Sequence, residues 1–171
     1  FGAHRALMHL LEGGIHGMFE NDASRPRFSR IVSPSRKFTG DNSDAIYFDA
    51  PISSDHSYLV RGNMNGAVYV SVTIECGTQQ GAMAKRTAGV LNDEMFDVDQ
   101  AGNFELRIGG PAQDRNWLAL DPEASRITTR HYFEEADCAA AKAGRVPLMT
   151  IEALDAGPAP ATPSVQRLDR H

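Results

Sequence analysis

From residue 45 to residue 133 the chain alternates apolar and polar residues with a period of two, in short runs separated by turn-forming residues. Successive side chains of an extended strand point to opposite faces, so such a run buries one face and solvates the other. AIYFDA (45–50), SYLVRG (57–62) and AVYVSVTIE (67–75) are rich in β-branched and aromatic residues, and FSRIV (28–32) is a shorter candidate. Asn63 to Gly66 reads as a hairpin turn between two of these runs, and Asp99-Gln100-Ala101-Gly102 as another, between EMFDV (94–98) and NFELRI (103–108). WLAL (117–120) and SRITTRHYFEE (125–135) complete the set. Short strands about 8–12 residues apart, with turn chemistry between them, point to a mainly β fold rather than βαβ units. The expectation is an antiparallel, jelly-roll-like β-sandwich of two packed sheets.

The flanks have other patterns. In residues 1–20, Leu7, Leu11, Ile15 and Met18 fall on one helical stripe, widened by Leu10 and Phe19. Gly13-Gly14 weakens such a helix by roughly 1 kcal/mol per glycine, and Asn21-Asp22 ends it. The helix is expected against one sheet or its edge, and its stripe, with the linker, to make contacts beyond this piece, within a longer polypeptide or to a partner chain. A helical turn is expected within 82–88 and a short helix over 136–143. ALDAGPAPATPSV (153–165) reads as a Pro/Ala-rich linker. The chain therefore divides into an N-terminal helical segment (1–24), a β-sandwich domain (25–150), and a linker with the start of a further segment (151–171). Its abrupt ends, at Phe1 and His171, read as those of a piece of a longer protein.

The chain has 171 residues, 42% hydrophobic and 23% charged, the make-up of one globular domain. A net charge of −5 offers no basic field for nucleic acid. No apolar run approaches the ~20 residues of a membrane span. Cys76 and Cys138 form no CxxC or zinc pattern, and two free, buried thiols are expected over a disulfide. The location, cytoplasmic or periplasmic, stays open.

Motif chemistry is sparse. His9 and His16 share a helix face but stand about 10 Å apart along the axis, too far for one metal. Asp97 to Gly102 resembles the start of a calcium loop, yet Ala101 and Ile108 occupy positions that need oxygen ligands. There is no HxH pair, and His131 with Glu135 is a thin substitute. GxSxG, GxxxxGK[ST] and GxGxxG are all absent. Neither a metal nor another cofactor is expected.

A polar set remains: Asp41, Asn42, Asp44 and Tyr47 before and within one strand, Arg61 in the next, Asn116-Trp117, and Arg130 with Tyr132 on one face of the last. As a ligand pocket, the arginines would hold an anion, Tyr and Asn would hydrogen-bond, and Trp117 would stack on a ring. As structural bridges, the same residues would fasten loops at the ends of the sandwich. In either case Arg130 or Arg61 is expected to pair with Asp41 or Asp44, with Trp117 nearby.

SYLVRG, AVYVSVTIE, FDVDQAGNFELRI, and above all NWLAL followed by RHYF resemble the bacterial domain of unknown function 1214. GDNSDAIYFDAP is similar to the Asn-x-Asp-x-x-Tyr signature of the companion domain of unknown function 1254. The resemblance covers about half the chain. It implies a jelly-roll-like sandwich, a loose link to lipid or carbohydrate metabolism, and signature positions at Asn42, Asp44, Tyr47, Arg61, Asn116, Trp117, Arg130 and Tyr132. The leading expectation is a small-molecule-binding domain in lipid, steroid or carbohydrate metabolism. The alternatives are an enzyme acting on a sugar or lipid and a structural module of a larger assembly.

Overall fold

The computed structural model describes residues 2–36, 40–78 and 82–158. Helix α1 spans Gly2–Met18. Among the described residues nine strands follow: β1 Ser29–Arg30, β2 Ala45–Pro51, β3 Tyr58–Asn63, β4 Tyr69–Cys76, β5 Arg86–Asn92, β6 Asn103–Ile108, β7 Trp117–Leu118, β8 Ala124–Tyr132 and β9 Thr150–Ala153. They form a five-stranded sheet, β1-β2-β8-β4-β5, and a four-stranded sheet, β7-β6-β3-β9. Every pairing is antiparallel except β6 with β7.

The period-two pattern sets which side chains meet. Ile46, Phe48 and Ala50 of β2, Val70, Val72 and Ile74 of β4, and Ile127 of β8 supply the core from the first sheet. Tyr58, Val60, Phe104, Leu106, Ile108 and Ile151 supply it from the second. The two sheets thus share one core, which removes from water the apolar area that drives folding. Tyr58 is fully buried, and its hydroxyl donates to the Ala23 carbonyl (3.0 Å) and accepts the Ser53 amide (2.8 Å), tying the segment after α1 to the second sheet. Burial pushes that hydroxyl's pKa up to about 12.

Several expectations need correction. Asn65 and Gly66 do adopt the left-handed conformations of a tight turn, but β3 and β4 on either side of it enter different sheets. A turn sequence specifies a reversal, not the pairing of what it joins. Residues 94–98 form turns rather than a strand, and β6 pairs with β3 and β7 instead. Residues 86–88 open strand β5, not a helical turn. Leu91 is the one buried hydrophobic side chain of this edge strand, so it shows no alternation. The expected helix at 136–143 is two single turns of 3-10 helix, Ala139–Ala141 and Ala143–Arg145. The boundary at 150 falls inside β9, where Ile151 enters the core opposite Val60. Both cysteines are free, but Cys138 is exposed and donates to the Ser43 carbonyl. Most of the expected linker, from residue 159 on, lies outside the described residues.

Helix α1 lies over one end of the five-stranded sheet. Its apolar stripe faces water: Leu7, Leu11 and Ile15 are each about half exposed and Phe19 is 83% exposed. The adjoining face, with His9, Leu10, Gly13, Gly14, His16 and Gly17, lines a groove over the five-stranded sheet. The helix is held by an ion pair between Glu12 and Arg36 and by a hydrogen bond from Arg5 to the Ser35 carbonyl (2.6 Å). Among the described residues no helix is long and apolar enough to cross a membrane.

Candidate functional site

The outer face of the five-stranded sheet is polar yet crowded. Residues one step out of phase with the core project there: Tyr47 and Asp49 from β2, Tyr69, Ser71, Thr73 and Glu75 from β4, and Arg126, Thr128, Arg130 and Tyr132 from β8. Ser71, Thr73 and Thr128 are 4–5% exposed although they point away from the core. Long side chains cover them.

Charges on this face form a chain. Arg126 Nη1 lies 2.6 Å from Asp49 Oδ2, with about a fifth of each side chain exposed. Glu75 stands opposite Arg126 in the β4–β8 register. Arg130 Nη2 approaches Glu75 at 3.8 Å, and its Nη1 donates to Thr73 Oγ1 at 3.0 Å. Burial raises the Asp49 pKa, against the pull of Arg126 and, more weakly, of His16. Tyr132 touches both Tyr47 and Tyr69 at ring-centroid distances of 6.4 and 5.8 Å. Burial, then the Tyr47 hydroxyl beside it, raises the Tyr132 pKa.

Between this face and α1 runs a groove of about 630 Å³. Its floor is Asp49, Ala50, Pro51 and Arg126, its roof the glycine–histidine face of α1, and one wall the segment Arg27 to Ile31. A Cβ at Gly13 or Gly14 would meet nothing within 4 Å, and one at Gly17 would meet only Arg126 Nη2, at 3.5 Å. The glycines thus leave the space between helix and sheet open.

The predicted polar set is split by the fold. Tyr47, Arg130 and Tyr132 share the polar face, with Tyr47 opposite Arg130 in register. Asn42 and Asp44 form a clasp beside it. The Asn42 amide donates to the Tyr47 hydroxyl (3.1 Å), Asn42 Oδ1 accepts the Asp44 amide (2.9 Å), and Asp44 Oδ2 accepts the Glu135 amide (3.0 Å). Asp41 is half-buried at the start of this clasp. Arg61, Asn116 and Trp117 belong to the other sheet. Arg61 pairs with Glu105 (2.8 Å) and Glu152 (2.9 Å) across β6 and β9, which raises its pKa, so the expected pairing with Asp41 or Asp44 is not formed. Arg130 pairs with Glu75, not with either aspartate. Asn116, at φ 57°, accepts the Asp97 amide and donates to the Glu105 carbonyl, which makes it a loop-fastener. Trp117 Nε1 donates to the Gly109 carbonyl (2.9 Å), so it does not pack near Arg130 as expected. The physical reason is common to all three: a strand's neighbours are set by topology, and β3 and β7 pair within the four-stranded sheet.

Asp49, Arg126, Thr73 and Glu75 were missed as site residues. The signal was present in the pattern. Each stands at a polar position of an alternating run, and Arg126 and Arg130 keep the same parity along β8. His131 has the opposite parity and is fully buried in the core, far from any ligand role with Glu135, which instead pairs with Lys142. No cluster of three metal-ligating side chains stands among the described residues.

No family model matches the chain, and no curated protein matches it. Among solved structures it is similar to an uncharacterised protein from Burkholderia cenocepacia, with 22% identity and a TM-score of 0.78 over 95% of this chain and 44% of that one. A Vibrio parahaemolyticus protein aligns over 77% of this chain and 31% of its own length, with 18% identity and a TM-score of 0.44. The chain spans less than half the length of either, and what it shares with the Burkholderia protein is a fold.

Proposed function

We propose that the chain is a small-molecule-binding domain, a jelly-roll-like β-sandwich of the domain of unknown function 1214 type, serving lipid, steroid or carbohydrate metabolism. The ligand lies in the groove between α1 and the five-stranded sheet. One observation carries this reading: α1 turns a glycine- and histidine-rich face, edged by Leu10, toward the sheet and leaves Leu7, Leu11 and Ile15 of its apolar stripe outside. An amphipathic helix ordinarily buries its apolar stripe. Here most of the stripe stays outside, and a groove of about 630 Å³ is left above a largely buried ion pair. That volume is within the range of small-molecule sites. Trp117, expected to stack on the ligand, has no part in it.

The test is to fill the groove. Gly13→Trp places a large ring at a position where an added Cβ meets nothing within 4 Å. Screened by ligand-observed NMR against sugars, alcohols and carboxylates, the natural chain binds at least one class and the variant, with an unchanged melting temperature, binds none. Equal binding by both would contradict the reading.

A second reading, a structural module of a larger assembly, draws on the exposed stripe of α1. It predicts self-association through that stripe, lost in a Leu11→Lys, Ile15→Lys variant. A concentration-independent monomer in sedimentation velocity would exclude it.

A further inference from the structure

The charges around the groove are out of keeping with the rest of the chain. Five arginines line it: Arg25, Arg27, Arg30, Arg36 and Arg126. Only three carboxylates do, Glu20, Asp22 and Asp49, in a protein whose net charge is −5. Three of the arginines are already matched: Arg126 by Asp49, Arg25 by Asp22, and Arg36 by Glu12. Arg27 and Arg30 have no carboxylate partner among the described residues. Arg27 is exposed. Arg30 is half-buried and donates from Nη2 to the Ala140 carbonyl (2.7 Å).

Arg30 and Arg36 stand against each other, since Arg36 Nη2 donates to the Arg30 carbonyl. The Nε of each is buried without an acceptor among the described residues. Burial, then the charge of Arg36, depresses the Arg30 pKa. A buried donor without an acceptor is costly, and a cation beside a cation more so. A carboxylate or phosphate relieves both, because its oxygens match the planar fork of a guanidinium. Beside the arginines the lining also has apolar side chains, Leu10, Ile31, Pro51 and Met83, together with His9, His16 and Ser29.

We infer that the groove takes an anionic amphiphile, with a carboxylate or phosphate head at the arginines of segment 27–36 and a short apolar body along Leu10, Ile31, Pro51 and Met83. This rests on the groove being the ligand site. The rest of the preference follows from charge and shape: the arginines select the head, and the apolar wall selects against a bare anion.

Calorimetric titration with octanoate, octyl phosphate, 1-octanol and inorganic phosphate separates these elements. The two anionic eight-carbon probes are expected to bind at least about tenfold more tightly than octanol, a difference of about 1.4 kcal/mol. Inorganic phosphate is expected to bind more weakly than octyl phosphate. Arg27→Gln, on an exposed residue without an ion pair, should remove most of the preference over octanol while leaving octanol binding and the melting temperature unchanged. Arg30→Gln should do the same to the preference. Equal binding of octanoate and octanol would overturn the anionic head and leave the groove as the site. Inorganic phosphate binding as tightly as octyl phosphate would overturn the apolar body. Failure of every eight-carbon probe would overturn both this inference and the proposed function.

Discussion

Asp49 and Arg126 face one another at 2.6 Å on the outer face of a sheet, beneath Gly17 of the helix, and four-fifths of each side chain is out of water. Removing one partner leaves the other charge poorly solvated. Asp49→Ala and Arg126→Ala should therefore each cost about 2 kcal/mol, a figure set below that for fully buried pairs because part of each group still meets solvent. The double variant should cost less than the sum, by about 1 kcal/mol. Chemical denaturation of the four proteins of the cycle checks both numbers, and additive losses would show that the two residues act independently.

The glycines of α1 offer a prediction of opposite sign. A methyl group at Gly13 or Gly14 meets nothing within 4 Å, so Gly13→Ala and Gly14→Ala should each stabilise the helix by up to about 1 kcal/mol. Helical content by circular dichroism should rise with both, and the groove should still bind its ligand.

His131 makes the fold acid-sensitive. It is fully buried, and burial pushes its pKa from the usual 6.5 down to about 4, opposed only weakly by the Asn63 backbone. Between these values the unfolded chain binds a proton that the folded one excludes. Stability is therefore full above pH 6.5 and falls as the pH drops toward 4, by roughly 3 kcal/mol at 1.36 kcal/mol per unit. His131→Leu should lose this dependence between pH 6.5 and 4. A variant that tracks the natural protein through that window would show that other groups set its acid response.

Thr129, two residues away, is also fully buried, and its hydroxyl has no hydrogen-bond partner among the described residues. Thr129→Val replaces that hydroxyl with a methyl group among Phe48 and Val72, its register neighbours. The substitution should leave stability unchanged or raise it by up to about 1 kcal/mol. A loss above 1 kcal/mol in urea denaturation would mean that the hydroxyl does have a partner in solution.

The strands were legible where one face is buried and the other is not, as in AIYFDA and NFELRI, because alternation is a direct trace of burial. It failed at β5, an edge strand with little to bury, and at EMFDV, whose apolar residues serve turns around Phe96. Partner choice was not legible at all. Nothing local in SYLVRG says that β3 leaves β4 at Asn65-Gly66 and takes β6 and β9 as neighbours. The candidate site shared that fate: parity along β2 and β8 brought Tyr47, Arg130 and Tyr132 together, while Arg61 and Trp117 went to the other sheet with their strands. The stripe of α1 is legible as a stripe, but which side of the helix meets the sheet is not. Amphipathicity tells which residues share a side, but the pairing of Glu12 with Arg36 and the space left by Gly13 and Gly17 decide which side turns inward.

The groove is tested most directly by mapping backbone amide shifts of the ¹⁵N-labelled chain during titration with octanoate. The account predicts saturable shifts clustered at residues 13–17 of α1, 27–31 and 49–51, with the amides of Arg61, Asn116 and Trp117 unmoved. Shifts that gather instead on the four-stranded sheet around Arg61 and Trp117, or that never saturate, would contradict it.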